Sequence, residues 1–174
     1  MKNKKLEARL GDEVRNFLDS RKSLQLSTIK EDGTPFASYA PFAIGEECLY
    51  VLLSEIAVHA TNLQHNHKAS VLVIEDEDDC EELFARLRVN YSVDAEMQAW
   101  DSEGWYEGLK VLSDRHGQRI LELSKHEDFK LFKLKPTGGR YVKGFGRAYS
   151  LMGGSLAGEE IDAMRDGHKR REVA

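Results

Sequence analysis

SLQLSTIKEDGTPFASYAPFAIGEECLYVLLS, residues 23–54, decides the fold. It holds three alternating or apolar runs, SLQLSTIK (23–30), FASYAPFAI (36–44) and CLYVLLS (48–54), separated by the polar turns EDGTP and IGEE. Short period-2 runs joined by glycine-bearing turns are the pattern of antiparallel strands linked by hairpins. The stretch therefore predicts a β-meander at the centre of a mainly β architecture.

Toward the amino terminus, Leu6, Leu10, Val14, Phe17 and Leu18 recur at spacings of three and four, which predicts an amphipathic helix over residues 4–19, with Gly11 weakening its middle. Toward the carboxy terminus a short helix fits residues 56–65, where Ile56, Ala60 and Leu63 share a face, and KASVLVIE (68–75) returns as a strand. The acidic run EDEDDCEE (75–82) reads as a solvated loop. LFARLRVNYSVDAEM (83–97) then alternates beyond Phe84 as a long strand with Arg86, Arg88 and Asn90 on one side. Residues 101–124 turn helical, capped by Asp101 or Ser102 and broken near Gly117. DFKLFKLKP (128–136) and GRYVKGFGRAYSL (139–151) read as two closing strands, the second bent by Gly144 and Gly146. The remainder is small, polar and finally basic, a tail unable to form a core alone. The organisation expected is a β-domain with an N-terminal helix over 1–152 and a tail over 153–174.

Composition narrows the function classes. A chain of 174 residues with 41% hydrophobic and 32% charged residues is one ordinary globular domain, with no apolar run able to span a bilayer. The basic start MKNKKLEARLGDEV lacks the apolar stretch of a secretory signal, so a cytoplasmic location is expected. Cys48 and Cys80 are too few for a disulfide framework or a zinc cluster. A net charge of −5 speaks against general nucleic-acid binding, which needs cations to neutralise phosphates. His65 and His67 form an H-x-H pair, but no carboxylate or cysteine at ligand spacing completes a tetrahedral set. No sequence-local nucleophile and base pair argues for hydrolysis.

On the residues alone, several readings stay open. His168 in GHKRR is an exposed tail histidine or a nitrogen that reaches a metal from a mobile segment. Lys169, Arg170 and Arg171 are a solvated basic end or counter-charges for an anion. Arg86 and Arg88 either neutralise the acidic run before them or fork onto a carboxylate. Asp128 is a turn residue or a partner for another side chain, His59 a helix-surface histidine or a polar group near a ligand. Lys143 in VKGFG sits at a strand irregularity or faces a cavity.

RKSLQLST, PFASYAPFA, LYVLLSEIAVHATNL and ASVLVIED together resemble the pyridoxamine 5′-phosphate oxidase-like split β-barrel superfamily, whose members normally bind FMN at a dimer interface. SYAPF, HATNL, LFARLR, FKLFKLKP, VKGFG and DGHKR narrow the resemblance to the HutZ and HugZ haem-utilisation family over nearly the whole chain. That resemblance implies an antiparallel split β-barrel with flanking helices, a homodimer, and haem as both cofactor and substrate, opened with O2 and an electron donor. No nucleic acid or membrane enters it. His168 matches the family's axial iron ligand, so that 153–174 becomes a haem-ligating tail, and Asp128 matches the carboxylate that accepts a hydrogen bond from the other subunit's axial histidine. Arg88, Arg86, Lys143, Lys169 and His59 are the expected cofactor-binding residues. The superfamily's flavin enzymes carry a basic residue for the FMN phosphate where this chain has His59, and neutral imidazole is a poorer counter-ion than Lys or Arg. An FMN-dependent oxidoreductase and a non-catalytic haem carrier are the alternatives.

Overall fold

A computed structural model describes residues 4–164 and 167–172. The decisive stretch forms β1 (Ser23–Ile29), β2 (Pro35–Pro41), β3 (Ala43–Gly45) and β4 (Cys48–Ser54), but these do not lie side by side as one meander. β1 pairs with β2 and β3 with β4, and the two hairpins sit at opposite ends of the sheet path β2-β1-β5-β6-β7-β4-β3. Only the fully buried Phe42 separates β2 from β3 in the chain. The two ends of the path thus follow each other directly in the chain, and this curls the antiparallel sheet into a split barrel.

Inside the path lie β5 (Lys68–Ile74), β6 (Arg88–Gln98) and the 16-residue β7 (Phe129–Gly144). The interior packs Leu24, Leu26, Val51, Val71, Val89 and Phe132, and helix α1 (Lys4–Ser20) adds Leu10, Val14, Phe17 and Leu18 from its buried face. Helix α2 (Val58–His65) starts later than its pattern predicts and leaves Ile56 exposed. Its Asn62 donates to Thr28 Oγ1 at 2.9 Å, so two buried polar side chains satisfy each other. On the outer face of β4 and β7, Cys48, Tyr50 and Leu131 pack against Trp105, Leu109 and Leu112 of helix α3 (Glu103–His116) and Ile120 of helix α4 (Arg119–Leu123). β4 is therefore covered on both faces, which is why CLYVLLS reads as a continuous apolar run. Ser102 caps α3 by accepting from Trp105 N at 3.2 Å, and the helix ends at Gly117.

Three sequence readings need correction. DFKLFKLKP and the start of GRYVKGFGRAYSL are one strand, because β7 runs on through Pro136 and Gly138. Val93 pairs with Pro136 and Ser92 with Gly138, leaving Thr137 as a bulge that accommodates the proline. At Gly139 a Cβ would stand 2.5 Å from the Asn90 carbonyl oxygen, so the close approach of β6 and β7 requires glycine. Gly144 and Gly146 do not bend a single strand: they frame a hairpin turn, Gly146 at φ 68°, from β7 into β8 (Arg147–Met152). Arg86 precedes β6, at the end of a short 3-10 turn, Leu83–Ala85, and so does not share the strand face of Arg88 and Asn90.

Packing also continues past residue 152. β9 (Glu160–Ala163) pairs with β8, and Leu156 and Ile161 enter the core. Tyr91 Oη donates to the Leu156 carbonyl at the barrel wall, while Leu156 N donates to Glu47 Oε2 at 2.8 Å and Arg15 donates to the same carboxylate. The first half of the expected tail is stitched to the barrel. Among the described residues, no helix is long and apolar enough to cross a membrane.

Candidate functional site

Beyond the bulge at Thr137, β6 and β7 pair in regular register from Arg88 to Tyr91. Val89, Tyr91 and Tyr141 point into the core, so Arg88, Asn90, Arg140 and Val142 emerge on the outer face, with Arg88 opposite Val142 and Asn90 opposite Arg140. β8 extends this face, Ala148 lying opposite Val142. The hairpin tip lifts Phe145 and the 3-10 turn lifts Phe84 above it, 63% and 87% exposed. Large aromatic rings left this open beside arginines mark a surface built to receive something.

The result is a half-open groove of about 330 Å³ whose lining includes Phe84, Arg88, Arg140, Phe145, Met164 and His168. The His168 ring lies 5.2 Å from the Phe145 ring, tilted by 44°. Arg88 donates from Nη1 to the Arg86 carbonyl at 2.9 Å, which holds its side chain without neutralising it. Among the described residues, no carboxylate lines the groove. A flat apolar wall, an exposed imidazole and uncompensated guanidinium groups can together receive a planar molecule that bears carboxylates and a metal able to take a nitrogen ligand. Lys169 follows His168 directly and is likewise exposed.

Asp128 and His59 lie elsewhere. Asp128 accepts from Ser54 Oγ at 2.6 Å just before β7 begins, and His59 Nδ1 lies 2.9 Å from Ser38 Oγ beside the β4–α2 connection. The hairpin with His168 stands at the other end of β7. Sixteen residues of strand at about 3.3 Å each separate the two clusters by up to roughly 50 Å of extended backbone. Arg86 and Lys143 are engaged in structural contacts: Arg86 donates to the Glu75 carbonyl and pairs with Glu77, and Lys143 Nζ pairs with Glu13 of α1. Strand alternation explains Lys143, which points opposite to Val142. Among the described residues, no group of three or more His, Cys, Asp or Glu side chains is placed to hold a metal ion.

Sequence reasoning missed Arg140 and Phe145. Period-2 alternation in GRYVKGFG puts Arg140 on the Val142 face, but only the pairing of β6 with β7 puts it beside Arg88. A larger cavity of about 520 Å³ opens between the end of β6 and the start of β7, lined by Trp100, Trp105, Lys125, His126 and Phe129 among others, and contains none of the expected site residues.

Burial lowers the His59 pKa below its ordinary value near 6.5 by desolvating the charged ring. The folded protein thus holds His59 neutral, while the unfolded chain takes up a proton first as pH falls. The stabilisation is complete above pH ~6.5 and is lost progressively as pH drops through that value toward the folded-state pKa. The urea midpoint should therefore fall between pH 7.5 and 5.5, and His59→Gln should flatten this dependence. An identical slope in the variant would refute the assignment.

Residues 10–143 match the pyridoxamine 5′-phosphate oxidase family. The chain is 41% identical over 170 residues to heme oxygenase HutZ of Vibrio cholerae, an alignment covering 98% of this chain and 96% of that protein. Its structure is similar to the crystal structure of HutZ described as the heme storage protein of Vibrio cholerae, with a TM-score of 0.73 and 42% identity, covering 77% of this chain and 94% of that one. It is also similar to Campylobacter jejuni ChuZ, with a TM-score of 0.80 and 28% identity, covering 94% of this chain and 67% of that one.

Proposed function

Because the chain belongs to the pyridoxamine 5′-phosphate oxidase family, and within it to the group of HutZ, we propose that it binds haem as a homodimer and opens the porphyrin ring oxidatively, releasing the iron. The observation that carries this reading is the groove in which the exposed His168 imidazole, Phe145 and Arg88 stand together. Their chemistry fits haem: an imidazole nitrogen for the iron, aromatic and aliphatic walls for the ring, and a guanidinium fork for a propionate. Bound haem supplies the redox-active iron and is itself the molecule opened, with O2 and an electron donor as co-reactants.

In this reading His168 is the axial ligand, and Lys169 adds positive charge at the same edge. Asp128 acts from the second copy, since β7 keeps it far from His168 of its own chain. There it accepts a hydrogen bond from the other ring nitrogen, which fixes the imidazole and raises its basicity. His59 and Ser38 form a neutral polar pair. A cytoplasmic location suits the chemistry, because reductants are at hand there.

FMN fits less well. His59, held neutral by burial and hydrogen-bonded to Ser38, offers no fixed charge to a phosphate dianion. The similar structure described as a heme storage protein makes carriage without cleavage the second reading. One experiment separates the three: hemin is titrated into the purified chain, then ascorbate is added in air, with absorption recorded throughout. A saturable Soret shift followed by its loss and a bilin band is expected. Haem left intact by ascorbate would favour storage, a protein purified with flavin bands would favour the flavin enzyme, and a Soret envelope identical to hemin in buffer would end the haem reading.

A further inference from the structure

The described residues include three methionines, Met97, Met152 and Met164. A methionine thioether is readily oxidised to the sulfoxide, which turns a flexible apolar side chain into a polar one. Met97 and Met152 are 48% and 46% exposed, and Met164 is 37% exposed. Exposure to bulk water therefore ranks Met164 last of the three.

Position ranks it first. Of these three, only Met164 lines the groove, together with His168, Phe145 and Arg88. Its amide donates to the Ala148 carbonyl at 2.8 Å, which fixes the residue at the root of the segment bearing His168. Met152 follows Ala148 by four residues along β8, roughly 13 Å at strand spacing, and Met97 follows Arg88 by nine residues along β6, roughly 30 Å. A short-lived oxidant formed in the groove would meet the least exposed sulfur first.

We infer that Met164 is a self-modification site: hydrogen peroxide formed in the groove from O2 and the electron donor oxidises its thioether to the sulfoxide, which then weakens the next round of haem binding. The inference rests on the haem reading and deepens it by naming a regulation of the same groove. O2 that takes up two electrons and two protons and leaves the iron is hydrogen peroxide. Its O–O bond breaks as an S–O bond forms on Met164; sulfur loses two electrons, and the other oxygen departs as water. The wall that faced an apolar ring then carries an S=O dipole, whose burial against that ring is unfavourable.

The test compares the three methionines within one sample, by peptide mass spectrometry of the full chain after turnover. The chain loaded with hemin is given ascorbate in air with catalase present, so that peroxide reaching bulk water is destroyed. Met164 should carry the added oxygen on the order of tenfold or more above Met97 and Met152, because its sulfur meets the peroxide before dilution. The apo chain given dilute hydrogen peroxide without catalase should oxidise Met164 no faster than the other two. Zinc protoporphyrin, offered in the dark in place of hemin, should leave all three unmodified. Over successive rounds of hemin and ascorbate, Met164→Leu should lose haem-binding capacity more slowly, relative to its own first round, than the wild-type chain does. Equal oxidation of the three methionines while hemin binds, the same preference for Met164 in the apo chain, or equal rates of loss in variant and wild type would overturn the inference and leave the haem reading standing. Absence of a saturable Soret shift in the wild-type chain would instead remove the haem reading, and the inference with it.

Discussion

Replacing His168 by alanine should abolish the imidazole-type Soret spectrum and haem turnover together. Among the described side chains lining the groove, His168 offers the only imidazole, and a guanidinium group has no lone pair to give to iron. Among the described lining residues, the other candidate for iron is the thioether of Met164, a weaker and softer donor. His168→Ala should therefore pass to sulfur or water ligation, with affinity reduced on the order of 100-fold or more, since losing even an outer partner of a ligand typically costs 10- to 100-fold. Added imidazole should restore the spectrum without restoring the tether. A variant that keeps both its spectrum and its turnover would show that the ligand lies elsewhere.

The second large effect is expected at Asp128. Asp128→Ala should reduce turnover about 10- to 100-fold with a shift in the iron–imidazole spectrum, as loss of a carboxylate behind a histidine ligand does. Mixing provides the sharper measurement. If each site joins His168 of one copy to Asp128 of the other, co-refolded Asp128→Ala and His168→Ala chains form hybrid dimers with one intact site each. Random pairing makes half of all dimers hybrids, so about a quarter of wild-type activity should return although each variant alone is poor. Recovery no greater than the average of the two variants alone would mean that the site is built within a single chain.

Sequence reading and structure agree where local pattern suffices and part where distant pairing decides. Helix α1, the capped α3 with its stop at Gly117, and the strand runs of residues 23–54 follow from spacing, capping and alternation. The order of those strands does not, because Phe42 bends the chain across the barrel and only closure of the sheet makes that bend favourable. Pro136 and Gly138 read as a break because both disfavour a central strand, yet the bulge at Thr137 absorbs them. Leu156 and Ile161 are isolated apolar residues among polar ones, with no period to announce them. At the site, His168 and Arg88 stood out through motif resemblance, and the structure brings them to one groove. Arg86 and Lys143 had the right charge but are held by Glu77 and Glu13, contacts that no linear spacing reveals.

The stitching of residues 153–164 onto the barrel puts a length on the leash of the histidine. Met164 is still hydrogen-bonded, its amide donating to the Ala148 carbonyl at 2.8 Å, and His168 follows only four residues later. At about 3.5 Å per extended residue, chain length alone keeps His168 within roughly 14 Å of Met164. Confinement to so small a volume keeps the local concentration of imidazole in the millimolar range or above, so iron entering the groove meets its nitrogen by an intramolecular step. The same short radius dictates how closely a second molecule must dock for its aspartate to share the ring.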